Sequence, residues 1–194
     1  MTTTALPVQT ATPTRRRFTV EEYCAMAEAG ILAADERLEL LSGEIFLMAP
    51  IGAAHADITD LFDDFFKSSL RGRARVRVQG PLRIDDTTLL YPDLAVLRLR
   101  SDYRHRLPGP EDVLLVIEVS DSSIRRDREA KLSRYAAAGI PEVWIANVPD
   151  CHVEAFHDPV DGVYQSSRIV PADGRISPRA FPDVVLTVGD FLLG

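Results

Sequence analysis

The sequence predicts an α/β (α+β) fold, a central mixed β-sheet flanked by helices and led by an N-terminal helix and a hairpin. Three observations predict it. Stretches with a helical repeat of apolar residues are interspersed with short apolar or alternating runs of strand length. The run Val113-Leu114-Leu115-Val116-Ile117 has no polar face, as expected of a strand in the middle of a sheet. The order of elements is helix, hairpin, helix, three strands, helix and further strands, which suits one mixed sheet.

The elements follow in order. Residues 1–14 are rich in Thr, Pro and Ala without periodicity and read as a disordered tail; the domain is expected to begin at Phe18, leaving 1–17 outside it and 18–194 as one domain. Thr19 and Glu22 form a capping box, Phe18 and Tyr23 stand where a hydrophobic staple would, and Gly30 ends that short helix. Residues 37–41 and 44–48 read as a hairpin closed by Ser42-Gly43. A helix over about 53–70 is predicted by Ile58, Leu61, Phe62 and Phe65 at helical spacing. Ala74, Val76 and Val78 alternate with Arg73, Arg75 and Arg77, a strand with a basic outer face. Gly80-Pro81 and Asp85-Asp86 turn the chain into a strand over about 88–98, and the apolar 113–117 strand follows. Asp121, Ser122 and Ser123 offer caps for a helix to Ala138, stopped by Gly139 and Pro141. Val143–Ala146, Val153–Phe156 and an edge strand after Asp161-Gly162 complete the sheet, and Val184–Leu193 packs as a short strand or helix.

Composition bounds the function. The chain has 194 residues, 46% hydrophobic, and a net charge of −7 from 22 basic and 29 acidic residues. No apolar run approaches the ~18 residues a membrane span needs. Cys24 and Cys151 fit neither a zinc site nor a redox pair and read as buried small apolar residues, with a reducing cytoplasm implied. Arg15-Arg16-Arg17-Phe18 is followed by acids rather than an apolar stretch, so it is no export signal.

An acidic total argues against nucleic acid until the charge is placed. Residues 1–70 hold 5 basic and 11 acidic groups, net −6; residues 71–134 hold 14 and 10, net +4; residues 135–194 hold 3 and 8, net −5. Arginines 73, 75 and 77, with Arg125 and Arg126 further on, could neutralise phosphates. The other reading is an arginine face paired with the chain's own acidic ends.

The chemistry concentrates between Tyr91 and Lys131. Tyr91-Pro92-Asp93 sets a carboxylate in a strand beside a proline, and Glu118 ends the most apolar strand. Unpaired carboxylates buried at neighbouring strand ends cost several kcal/mol, and a hard divalent cation between them would offset that; the alternative is that both pair with arginines. Only two basic residues are lysines, Lys67 and Lys131. Lys131 falls four residues before Tyr135, on or beside the buried helix face, where a compact ammonium is wanted rather than a planar guanidinium.

Pro92-Asp93, then Glu118-Val119-Ser120, then a lysine on the next helix resembles the PD-(D/E)XK restriction-endonuclease-like superfamily, and most closely its Uma-two family of endonucleases. Further landmarks occur in order: Phe18-Thr19-Val20-Glu21-Glu22-Tyr23, Leu38-Glu39-Leu40-Leu41-Ser42-Gly43-Glu44-Ile45, His55, Gln79-Gly80-Pro81-Leu82-Arg83, Glu118–Ser123, and Lys131 through Gly139-Ile140-Pro141-Glu142-Val143-Trp144. The superfamily's usual lysine position is Ser120 here, so Lys131 would replace it from the helix.

The resemblance implies a restriction-endonuclease-like core and Mg²⁺- or Mn²⁺-dependent hydrolysis of DNA phosphodiesters. Asp93, Glu118 and the Val119 carbonyl would hold the metal, and Lys131 would orient water or stabilise the transition state. Glu39 could bind a second metal or hold Lys131; His55 could reach the phosphate or water, or simply cap or pack; Gln79 and Ser120 are candidate supports, Gln79 by orienting Glu118 or Lys131. A homodimer is expected by analogy. The competing function is an inactive module of the same fold that binds DNA or a protein partner.

Overall fold

Val113–Ile117 is apolar on both faces because it is covered on both. The computed structural model describes residues 15–33, 35–121 and 125–193, the side chains of 125–129 excepted. In chain order the elements are α1 (Val20–Glu28), β1 (Leu38–Leu41), β2 (Glu44–Leu47), α2 (Ala53–Ser69), β3 (Ala74–Val78), β4 (Leu82–Asp85), β5 (Thr88–Leu90), β6 (Leu94–Arg98), a 3-10 turn (Pro110–Asp112), β7 (Val113–Ser120), α3 (Arg125–Ala137), β8 (Glu142–Asn147), β9 (His152–Val160), β10 (Val163–Pro171), β11 (Arg175–Ile176), β12 (Leu186–Thr187) and α4 (Gly189–Leu192). The main sheet has the order β10-β9-β8-β7-β6-β3. Only β7 and β8 run parallel in it, joined through α3, so the central sheet is mixed as the sequence predicts. A second sheet, β2-β1-β5-β4, lies beside it, and β11 pairs with β12.

The period of two along β7 divides the core. Leu115, Ile117 and Val119 pack with Phe62, Phe66, Trp144 and Phe191 under α2 and α4. Val116 faces the other way, with Tyr135 and Ile140 of the α3 side and Leu82 and Leu90 of the second sheet. Glu118 is two residues on from Val116, so it also points toward α3.

Local expectations hold at the N-terminus. Both bonds of the Thr19–Glu22 capping box are present, at 3.1 and 3.2 Å, and Gly30 has φ +70°. The hairpin turn Ser42-Gly43 has φ of 52° and 78°, the pair of left-handed conformations a tight hairpin needs. Just before α1, the Arg17 guanidinium donates to the Ser42 carbonyl at 2.5 Å.

Three expectations change, and one falls outside the described residues. The single strand over 88–98 is two strands in two sheets, because Pro92 offers no N–H for a ladder and the chain crosses between sheets at Tyr91-Pro92-Asp93. On α2 the buried stripe steps by four through Ile58, Phe62 and Phe66, leaving Leu61 38% exposed. Both cysteines are free and only half-buried. Ser122 and Ser123 lie outside the described residues, as do the side chains of Arg125 and Arg126, and with them their expected contact with nucleic acid.

Candidate active site

Strand register brings the two carboxylates together. Leu94 pairs with Ile117 and Ala95 with Val116, so one further step sets Asp93 opposite Glu118. Directly opposite residues share a sheet face, and both line one cleft of about 460 Å³ between the two sheets and α3. Asp93 is held on both oxygens: Oδ1 lies 2.8 Å from His55 Nε2, and Oδ2 accepts the Val119 N–H at 2.8 Å. The hydrogen bond that His55 donates to Asp93 raises the His55 pKa, against the opposing effect of burial.

The third and fourth members come from β1 and α3. Glu39 follows Leu38 on β1, and its Oε1 accepts the Tyr91 N–H at 2.9 Å and the Lys131 Nζ at 2.8 Å. Lys131 Nζ is also 4.0 Å from Glu118 Oε1. One turn along α3, the Tyr135 hydroxyl donates to the same Glu118 oxygen at 2.7 Å. Burial pushes the Lys131 pKa down, but Glu118, Glu39 and Asp93 together raise it above its ordinary value. Burial pushes Glu118 up to about 7; Lys131 and Tyr135 oppose this, while Asp93 and Glu39 add to it. Burial, reinforced by Glu118, raises Tyr135 well above the ordinary phenol range.

Of the two readings of Glu39, the geometry shows the hold on Lys131. His55 meets neither solvent nor the core alone but fixes Asp93. Ser120 lines the cleft two residues beyond Glu118 on the same face. Gln79 does not support Glu118 or Lys131: it ends β3 with φ 44°, donates its backbone N–H to the Asp93 carbonyl at 3.1 Å, and borders a separate cavity of about 400 Å³ with Tyr23 and Tyr91.

The arginine stripe is placed differently from the sequence expectation. Arg73, Arg75 and Arg77 do not line the cleft. β3 is an edge strand, and Ala74 pairs with Arg98 at the end of β6 farther from Asp93. Arg73 forms a two-point pair with Asp183 at 2.6 and 2.8 Å and stacks on Phe181. The Arg77 guanidinium rests 5.6 Å from the Tyr103 ring centre, and Arg75 is exposed. Among the described residues the arginine that does line the cleft is Arg37, which no motif marks. Tyr135 had a signal in its four-residue spacing from Lys131; Phe46, across from Glu39, had none.

The donor set suits a hard divalent cation. Asp93 and Glu118 offer carboxylate oxygens in a cleft that also holds Glu39, three carboxyl groups beside the ammonium of Lys131. Among the described residues no three His, Cys, Asp or Glu side chains form a metal-holding group, so backbone carbonyl and water oxygens would complete the shell.

A family model, Uma2, described as "Putative restriction endonuclease", matches residues 20–189. The chain is also similar in structure to a "putative nuclease belonging to DUF820" from Anabaena variabilis ATCC 29413, with TM-score 0.72 and 15% identity over 91% of this chain and 98% of that one. That likeness is one of fold. No curated protein matches the chain in sequence. Because the family model spans most of the chain, from α1 to the start of α4 and across every residue of the cleft cluster, the chain belongs to the Uma2 restriction-endonuclease family.

Proposed function

We propose that this chain is a divalent-metal-dependent nuclease that hydrolyses DNA phosphodiester bonds in the cleft. The observation that carries the reading is the convergence of Glu39, Asp93, Glu118 and Lys131 on one concave site. Asp93, Glu118 and the Val119 carbonyl would hold Mg²⁺ or Mn²⁺. Such a cation, when bound, supplies neutralisation of the phosphate and a more acidic water. The chain's own groups do the rest. His55 and the Val119 N–H fix the Asp93 carboxylate, and Tyr135 fixes Glu118. Glu39 keeps Lys131 charged and aimed at the space beside Glu118, where its ammonium can donate to the attacking water or to a phosphate oxygen.

Purified protein should nick plasmid DNA with Mg²⁺ or Mn²⁺ and stop when EDTA is added. Asp93→Ala, Glu118→Ala and Lys131→Ala should each lower the rate by about a hundredfold or more. Cutting that survives all three substitutions would reject this site. Nucleic-acid binding without turnover in any metal would favour the inactive-module reading instead.

A further inference from the structure

The cleft has a wall that the nuclease reading leaves unused. Phe46 on β2 is the direct cross-strand partner of Glu39 on β1, so the two side chains share the cleft face. The ring is 46% exposed and, among the described residues, makes no contact with another ring. Leu47, 73% exposed, and Met48 continue this wall. An aromatic left open beside an acidic floor gains little from packing and suits a ligand with a flat π-face.

Arg37 adds a cation at the same place. It lines both the cleft and the neighbouring cavity of about 400 Å³, and so stands between two successive spaces. One of its N–H groups donates to the Ala49 carbonyl at 2.9 Å. Among the described residues Arg37 has no carboxylate within ion-pair distance, whereas Arg73, Arg83, Arg100 and Arg106 each have one. A strand of nucleotides presents this alternation of flat base and phosphate.

Size and charge argue against a duplex. A cleft of about 460 Å³ is of the size that holds a single small ligand. Duplex binding uses rows of unpaired cations along the phosphates. Among the described residues the cleft wall carries no such row: Arg37 and Lys131 are the Lys or Arg side chains that line it.

We infer that the cleft receives an unpaired stretch of nucleic-acid strand, one base stacking on Phe46 and an adjacent phosphate meeting Arg37. The inference rests on the nuclease reading and narrows its substrate class to unpaired strand.

The test uses the full chain with Mg²⁺ and a short single-stranded DNA carrying one 2-aminopurine, alone or annealed to its complement. Anisotropy should show the single strand bound at least about tenfold more tightly than the blunt duplex, with aminopurine fluorescence quenched on binding. Phe46→Ala should weaken single-strand binding by roughly 5- to 100-fold and abolish the quenching. Phe46→Trp should keep both. Phe46→Leu, which retains apolar volume, should lose the quenching. Arg37→Ala should weaken binding, with partial recovery in Arg37→Lys. Equal affinity for duplex and single strand, or quenching indifferent to Phe46, would overturn the inference. If the protein cuts plasmid with metal while Phe46→Ala changes nothing, the inference fails and the nuclease reading stands. If Phe46-dependent single-strand binding occurs with no cutting in any metal, unpaired-strand binding stands and the nuclease reading falls.

Discussion

Burial takes water from Glu118 and is the main reason that its carboxyl is pushed up to about 7; Asp93 across the strand pair and Glu39 beyond Lys131 add to this, against Lys131 and Tyr135. A folded pKa above the unfolded one means that the fold prefers the protonated form. The associated stability is fully present below about pH 4.5 and is lost as pH rises through about 7. The amount at stake is on the order of a few kcal/mol. Thermal melts should therefore show wild-type Tm falling between about pH 5 and pH 8, with a smaller fall in Glu118→Gln; parallel curves for the two proteins would remove Glu118 as the cause. The two lysines illustrate what one residue choice conveys. Lys67 forms an i, i+4 pair with Asp63 on the surface of α2, at 2.5 Å. Lys131 is mostly buried, between Glu39 and Glu118. Its preference over arginine follows from that narrow space.

At the scale of elements, the site depends on where strands begin and end. Pro92 ends one sheet's strand and precedes the other's, which leaves Asp93 at the crossing with its carboxylate free to take the Val119 N–H. Pro92-Asp93 interrupts the apolar residues of 88–98 in sequence, but which sheet each half joins is set by partners distant along the chain. The 3-10 turn before β7 has its own anchor. Asp112 is fully buried, accepts two N–H bonds from Arg106 at 2.7 and 2.8 Å, and takes a third from Gly109 at 3.0 Å. Burial raises its pKa, but Arg106 and the Gly109 amide lower it on balance. Its stabilisation is accordingly present above the ordinary aspartate pKa and is lost as pH falls through the lowered one. Asp112→Ala should cost about 3 kcal/mol, the low end for breaking a buried pair, because Arg106 is partly exposed and retains Asp102. Urea denaturation at neutral pH measures it, and an unshifted midpoint would refute the anchor role.

The whole molecule redistributes the charge that the sequence lays out in blocks. The net +4 middle segment is folded against both acidic flanks: Arg83 meets Glu21 from the N-terminal side, and Arg73 meets Asp183 from the C-terminal side. Arg100 and Arg106 are satisfied within the segment by Asp102 and Asp112. Among the described residues the cleft itself is lined by two such cations, Arg37 and Lys131, so few are placed to displace counterions there. The salt dependence of nucleic-acid binding should therefore be shallow, with a slope of log Kobs against log salt of about −1, corresponding to one or two phosphates of a single strand. A slope steeper than about −3 would show that an arginine stripe does engage the backbone after all.

The sequence by itself determined the local structure and the list of chemically capable residues. The capping box, the Ser42-Gly43 turn, the apolar β7 and the choice of Asp93, Glu118, Glu39 and Lys131 all rest on neighbours within a few positions or on residue type. Only the tertiary structure decided which of these meet. The register of β6 on β7 sets Asp93 against Glu118, the period of two turns Glu118 toward α3, and one helical turn adds Tyr135 to Lys131. The place of Phe46 opposite Glu39 follows from the hairpin that the sequence predicts, but that this hairpin, with Arg37, forms a wall of the cleft depends on contacts with α3 and the main sheet, which no local pattern encodes. For the same reason Arg73 looked available in sequence: its partner, Asp183, is an acid that only folding brings within reach.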